Sequence, residues 1–346
     1  MKLNITKTIS LLMLGTAFLL PLHLPAVAQN ESVLHATAVP VICTWKNDAK
    51  AALSFTFDDG TVDHFTQAAP MLEKHGLRGT FFIVINWIGK GNKLTWDQVK
   101  SLAERGHEIG NHSMTHGNLV TLSNKGDLVN LEKEIVDPIG IIREKIGVPP
   151  VTFCYPLNAR NPQVQALAEQ HHIASRLISK GYNGTKFNLE TANREVDSLI
   201  AKGGNWAVMI HGIDPALKGY LPFADATLLD QHFAYVKSRE KELWVDTFAN
   251  VTRYQLTAAA CEVKSLQNTS GLMEFELIGK EPNKPEKNAP LTIRIDRPKA
   301  VEASQGKRKL QLRSQGNATL CCDVLPNAGA VQVSFAPFES PTLKKP

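Results

Sequence analysis

The sequence predicts an α/β fold followed by a small β-sandwich. From Ala51 onward, apolar strand-like runs alternate with amphipathic stretches of helical period, the order that builds a sheet covered by helices. After about residue 255 the pattern changes to short β-type runs separated by Pro, Asn and Gly clusters, with no segment of helical period. The first 28 residues stand apart from both. Lys2 and Lys7 precede the apolar stretch "ISLLMLGTAFLLPLHL", which closes on the small-residue pattern Ala26-Val27-Ala28, the layout of a cleaved export signal. Pro21, His23 and Pro25 interrupt the apolar run, which falls short of the roughly 20 residues that span a bilayer. The expected organisation is therefore a signal at 1–28, an α/β domain at 29–254, a β-sandwich at 255–338 and a tail at 339–346.

Each α/β element has a local reason. "AALSFTF" is an apolar strand, "HFTQAAPMLEKHG" a helix closed by Gly76, and "RGTFFIVI" a second strand. "TWDQVKSLAERG" opens on Thr95 with Gln98 three residues later, the capping-box spacing, and stops at Gly106. "HEIGNHS" is a short strand running into a loop. "LVNLEKEIVDPIGIIREKIG" is a long helix expected to bend near Pro138. "VTFCYP", the helix "NPQVQALAEQHH" and the strand "WAVMIHG" follow, then a helix around "LLDQHFAYVKSREKE" and a strand at "LWVDTF". The later β-runs are "LMEFELIG", "LTIRID", "KLQLRS" and "VQVSFA".

Composition narrows the function. Of 346 residues, 43% are apolar and 21% charged, so a packed core is expected rather than disorder. Removal of the signal lowers the formal charge from +5 to +3, too little and too dispersed for a nucleic-acid partner; "GKRKL" at 306–310 reads as a solvated face. The expected location is periplasmic or extracellular, without stable membrane insertion once the signal is cleaved, and the oligomeric state is left open. An oxidising compartment permits disulfides among Cys43, Cys154, Cys261, Cys321 and Cys322, but the odd count leaves at least one thiol unpaired within the monomer. Cys261 with Cys321 or Cys322 is the expected pair, because all three fall in the C-terminal segment.

The chemistry-bearing residues fall at the C-terminal ends of expected strands, where open α/β sheets and barrels place their sites. Asp58 and Asp59 close "SFTFDDG", and adjacent carboxylates repel unless a positive charge holds them. "NHSMTH" supplies His112 and His116 four residues apart, a spacing that on one helical turn or a tight loop turns both rings toward one point. With Asp59 these make a His/His/Asp set that leaves coordination positions open, as catalytic metal sites do. Asp58 is then free to act as a general base on water. A single histidine is ordinarily a surface or core residue, and a lone "DDG" is ordinarily a turn. The combination of DDG, HxxxH and His211, each after a strand of one domain, is what points to a site.

"SFTFDDG", "GHEIGNHSMTH" and "VMIHG" resemble the sequence blocks of the polysaccharide deacetylases, over roughly residues 45–250. The resemblance implies a distorted, incomplete (β/α) barrel with a zinc-type ion held by Asp59, His112 and His116; Co2+, Ni2+ and Fe2+ are the other candidates. It also implies Asp58 as base and His211 as the acid that protonates the leaving group, with an acetylated oligo- or polysaccharide as substrate. The backbone N–H of Leu157, just after Pro156, is the candidate oxyanion donor. The implied reaction removes an N-linked or O-linked acetyl group. A catalytically idle glycan-binding barrel, a hydrolase of a small non-glycan amide, and a non-haem iron oxygenase with its own two-His-one-carboxylate triad are the alternatives.

The third block departs from the family pattern. Where Arg-Pro-Pro-Tyr-Gly is usual, with the arginine bracing the base, this chain has Cys154-Tyr155-Pro156-Leu157-Asn158. Arg160 and Arg194 are the substitutes considered, and Asp197 the candidate partner for His211. His64 is expected to line the cleft or cap a helix, and Trp87, Trp96 and Trp206 to pack in the core. The C-terminal runs resemble a β-sandwich tail found on some bacterial members, with no evident aromatic binding platform.

Overall fold

The computed structural model describes residues 38–336 apart from 183, 218–219, 281–287, 298 and 316–318; the expected signal at 1–28 and the tail at 339–346 lie outside the described residues. No helix among the described residues is long and apolar enough to cross a membrane.

A parallel sheet organises the α/β domain. Its strands are β2 (Ala51–Asp58), β3 (Thr80–Ile83), β4 (Glu108–Asn111), β5 (Thr152–Cys154), β6 (Ala174–Arg176), β7 (Lys180–Gly181), β8 (Gly204–Ile210) and β9 (Leu243–Val245), after a short β1 (Val41–Ile42) that belongs elsewhere. The order is β6-β5-β4-β3-β2-β8-β7, with β9 pairing the first residues of β2. The sheet curls into a half-barrel with helices on its outside and does not close, which is the incomplete (β/α) barrel expected from the sequence. All eight residues of β2 are buried, as a strand covered on both faces requires. Phe55, Phe57, Phe81, Val208 and Ile210 anchor the core around it.

Local sequence explains most helix ends. The Thr95 hydroxyl accepts from the Gln98 N–H while the Gln98 side chain accepts from the Thr95 N–H, so the capping box forms and the helix runs Trp96–Glu104. The long helix expected to bend near Pro138 is two helices, Leu128–Ile135 and Asp137–Ile146, because proline cannot donate to the preceding turn and so opens a new helix. The helix expected from His64 begins as a π-helical turn, His64–Ala68, before the α-helix Ala69–Lys74.

Two strands and an α-helix between residues 172 and 203 were not expected. β6 and β7, of three and two residues, are too short to show a period. The helix Leu189–Lys202 carries its buried residues Ala192, Val196, Leu199 and Ile200 at helical spacing, a signal present in the sequence.

The C-terminal part is two antiparallel sheets sharing one core. One holds β10 (Cys261–Asn268), β11 (Leu272–Gly279), β17 (Val331–Phe335), β13 (Ala300–Gln305) and β14 (Arg308–Lys309), in that order. The other holds β1, β12 (Leu291–Ile295), β16 (Thr319–Val324) and β15 (Arg313–Gln315). Met273, Phe275, Ile293, Cys322 and Val333 lie in the shared core. β1 precedes the barrel in the chain yet pairs with β12, so the sandwich takes a strand from the N-terminal side of the expected 254/255 boundary. The helix Phe248–Ala259 straddles that boundary and buries Val251 and Tyr254 in the same core.

Tyr254 stitches these pieces together. Its hydroxyl donates to the Cys43 carbonyl at 3.0 Å and accepts from the Thr292 N–H at 3.2 Å, both buried. Tyr254→Phe leaves a buried donor and a buried acceptor without that partner, at an expected cost of about 1–3 kcal/mol. Urea unfolding of the full chain checks this; a change below roughly 0.5 kcal/mol contradicts the stitch.

Candidate active site

The ends of β2, β4, β5 and β8 open into a cleft of about 570 Å³ lined by Asp58, Asp59, His112, His116, Leu157 and His211. All six residues singled out from the sequence therefore share one cavity. Trp87, Tyr155 and Tyr220 add aromatic wall. Five non-glycine residues of the lining hold left-handed backbone: Asp59 (φ 76°), His116 (φ 64°), Leu157 (φ 59°), Asn158 (φ 53°) and Leu221 (φ 53°). Such conformations cost of order 1–3 kcal/mol each and persist only where the surroundings over-determine them.

One turn separates the two aspartates into different environments. Asp58 ends β2 with its side chain inside the barrel, and the left-handed turn at Asp59 sends the next carboxylate elsewhere. Lys93 donates to the Asp59 carbonyl at 3.1 Å and steadies that turn.

The "NHSMTH" segment is a tight loop. Asn111 is buried at the end of β4, donates to the Ile135 carbonyl and accepts from the Ser113 N–H; the Ser113 hydroxyl then accepts from the His116 N–H at 2.9 Å. Glu134 accepts from both the N–H and the hydroxyl of Thr115. β4 also packs too closely for a side chain at Gly110, where a Cβ would stand 2.4 Å from the Phe82 ring. Asn111 itself is fully buried.

Nε2 of His112 and Nε2 of His116 stand 3.5 and 3.4 Å from Asp59 Oδ1. These contacts are longer than ordinary hydrogen bonds, and Asp59 Oδ1 is buried with no hydrogen-bond partner. Donors about 2.0–2.2 Å from one tetrahedral ion stand roughly 3.3–3.6 Å apart, so the separations fit a shared dication. His112 directs its Nδ1 at the Cys154 carbonyl at 2.9 Å, which leaves Nε2 as the lone-pair donor. Asp59, His112 and His116 can thus hold a divalent metal. Burial opposes charge on both carboxylate and imidazole. Against it, His112, Lys93 and His116 keep Asp59 well below the usual carboxyl range, and the Cys154 sulfur with the Asp59 and Asp58 carboxylates keeps His112 above the usual imidazole range.

Asp58 is held by an arginine that the sequence reading did not find. Arg176, at the end of β6, donates from one terminal nitrogen to Asp58 Oδ1 at 2.8 Å and from the other to Asp58 Oδ2 at 2.5 Å. The guanidinium also donates to Thr56 Oγ1 and, at 3.0 Å, to Cys154 Sγ, and it lies over the Phe82 ring. Cys154 pairs with Arg176 in the register between β5 and β6, so the small residue at the block position where an arginine is usual lies beside the arginine that reaches the base. Arg160 and Arg194 do not serve: Arg160 bonds the Asn158 carbonyl, and Arg194 pairs with Glu190 on the surface. Burial pushes the Asp58 pKa up, but the charge and hydrogen bonds of Arg176 outweigh it and hold the carboxyl below its usual range.

His211 follows β8, with Nε2 4.0 Å from Asp58 Oδ2, and packs edge-on against Tyr220. Asp197 does not orient it, being paired with Tyr235 and Arg239. The support is backbone. His64 is fully buried against Phe57 and Phe81 and bonds the His211 carbonyl at 2.6 Å, so it neither lines the cleft nor caps a helix. Asp63 accepts from the N–H groups of Ile213 and Asp214 and fixes the loop beyond. Trp87 faces the cleft 4.9 Å from the His116 ring, whereas Trp96 and Trp206 pack against the core as expected. Glu108 bonds Thr80, Thr152 and the Ala249 N–H and is structural.

One mouth of the α/β barrel therefore carries a braced carboxylate, a His/His/Asp set and a histidine on the opposite wall. The family model for polysaccharide deacetylases matches residues 46–175 of this chain. A peptidoglycan-N-acetylglucosamine deacetylase of Bacillus cereus is 37% identical over 133 residues, 36% of this chain and 46% of the relative. A chitin deacetylase of Arthroderma benhamiae is 32% identical over 90 residues, 25% of this chain and 24% of the relative. The chain spans less than half the length of the curated relatives it matches. A solved chitin deacetylase from Colletotrichum lindemuthianum is 18% identical with a TM-score of 0.46, covering 61% of this chain and 89% of that one.

The Asp58–Arg176 pair has a pH signature. Because the folded carboxyl lies below its unfolded value of about 3.9, its stabilisation is complete above that value and is lost as pH falls through the folded pKa. Arg176→Met strands a buried carboxylate, at an expected cost of about 3–5 kcal/mol near neutral pH. The cost shrinks in acid as the carboxyl protonates, and Asp58→Asn in the Arg176→Met background recovers part of it. Urea unfolding in chelator at neutral and acidic pH checks the sign; a pH-independent cost contradicts it.

Proposed function

We propose that the chain is an exported, metal-dependent hydrolase that removes acetyl groups from a carbohydrate, with N-acetylated sugars first among the candidates. The observation that carries this reading is the convergence of His112 and His116, each with Nε2 3.4–3.5 Å from Asp59 Oδ1, beside the arginine-braced Asp58 and opposite His211. The family match, and relatives named for peptidoglycan and chitin, support a polymeric amino-sugar substrate.

In this reading Asp59, His112 and His116 hold a divalent ion, zinc first. When bound, the ion supplies Lewis-acid polarisation and a lowered pKa for water in the cleft. Asp58 remains ionised because Arg176 is buried with it, and it takes the proton from the attacking water. The Leu157 N–H, in the left-handed turn after Pro156, is assigned to the oxyanion; one such donor is commonly worth about 2.7–4 kcal/mol. His211 delivers a proton to the departing amine, since an unprotonated amine is a poor leaving group. Trp87 and Tyr220 flank the cleft as apolar surfaces for sugar rings.

Acetate release from chitin oligosaccharides, peptidoglycan and acetylated xylan, each with chelator and zinc add-back, tests the function. Chelator-sensitive release from at least one, restored by zinc, is expected; no release from any of them contradicts the reading. Asp58→Asn should retain metal but lose nearly all turnover, while His112→Ala loses both, read by metal analysis beside initial rates. His211→Ala should lower kcat by roughly 10²- to 10⁴-fold with metal retained.

A further inference from the structure

Cys261 is not near either of its expected partners. It opens β10 opposite Gly279, whereas Cys321 and Cys322 lie on β16 in the other sheet. Cys322 faces the sandwich core, and Cys321 faces away from it toward the segment that follows β1. There its sulfur meets Cys43. The sulfurs of Cys43 and Cys321 and a carboxylate oxygen of Asp48 all lie within 4.8 Å of one another, and both thiols are buried, at 4% and 0% exposure.

We propose that Cys43 and Cys321 form a disulfide that fastens the chain entering β2 to the C-terminal sandwich. Two alternatives are weaker. A metal at the same three groups would compete with positive charge, since Asp48 already pairs with Arg294 at 3.5 Å and Arg313 stands nearby on β15. A plain pair of buried thiols leaves two reactive sulfurs touching in a chain whose export is proposed above.

The chemistry needs an external disulfide, either a small-molecule one or an oxidoreductase. The Cys321 thiolate attacks one of its sulfurs and expels the other as a thiolate. The Cys43 sulfur, after losing its proton, attacks Cys321 and displaces the bound half. Two electrons and two protons pass from the pair to the external disulfide, which leaves as two thiols. Both sulfurs are buried in the folded chain, so the exchange belongs to folding, before β1 docks on β12.

Peptide mapping of the full chain tests this, in a Cys322→Ser background so that the β16 peptide carries one thiol. The protein is reduced, unfolded and refolded in a buffer of oxidised and reduced glutathione, and its remaining free thiols are alkylated under denaturing conditions before digestion. The expected product is a cross-linked pair of peptides holding Cys43 and Cys321, two hydrogens lighter than their sum, with Cys154 and Cys261 alkylated. Cys43→Ser should lower the Tm to that of the reduced parent and abolish its sensitivity to reductant. Alkylation of both Cys43 and Cys321 without prior reduction, a link through Cys261, or stoichiometric zinc retained at the pair after incubation with zinc alone overturns the proposal. The map decides even if Cys43→Ser fails to fold.

Discussion

Two adjacent carboxylates buried at the end of a fully buried strand impose the constraint on which this site depends. Moving one carboxylate out of water costs several kcal/mol even after relaxation, and a neighbour of like charge adds to it. The fold meets this by giving each aspartate its own positive environment. Asp58 receives a bidentate guanidinium from β6, four strand positions away across the sheet, and Asp59 is turned by left-handed backbone toward two imidazoles from the loop after β4. The curled parallel sheet is the device that brings β2, β4, β5, β6 and β8 to one mouth. The left-handed backbone at His116 is held by hydrogen bonds through Asn111, Ser113 and Glu134.

Local patterns in the sequence reveal the parts of this site that are contiguous. "SFTFDDG" and "NHSMTH" each keep their functional residues within a few positions, so strand period and loop spacing suffice to bring them forward. The capping box at Thr95 and the β-runs of the sandwich are legible for the same reason. Arg176 is not. It acts on Asp58 only through the register that sets Cys154 beside it on adjacent strands, and the three-residue strand carrying it shows no period. His64 and Asp63 were visible as polar residues, but their contacts are to backbone 147 to 151 positions away, which no local spacing encodes. The Cys43–Cys321 contact is hidden likewise, because β1 leaves the barrel segment to join the sandwich.

That exchange of a strand makes the two parts of the chain mechanically continuous. The helix Phe248–Ala259 caps the barrel at one end, where Glu108 accepts the Ala249 N–H, and enters the sandwich core at the other through Val251 and Tyr254. Trp45, Ala52 and Trp244 from the barrel side pack in the same core. The sandwich therefore bears on the start of β2, whose far end carries both aspartates.

Anomalous diffraction at the zinc edge, from crystals of the full chain equilibrated with zinc, reads out whether Asp59, His112 and His116 share one ion. A single strong anomalous peak within about 2.0–2.2 Å of Asp59 and both imidazole Nε2 atoms, with Asp58 still on Arg176, is expected. Absence of a peak among these three, or a peak bound through Asp58 with Arg176 displaced, would contradict it.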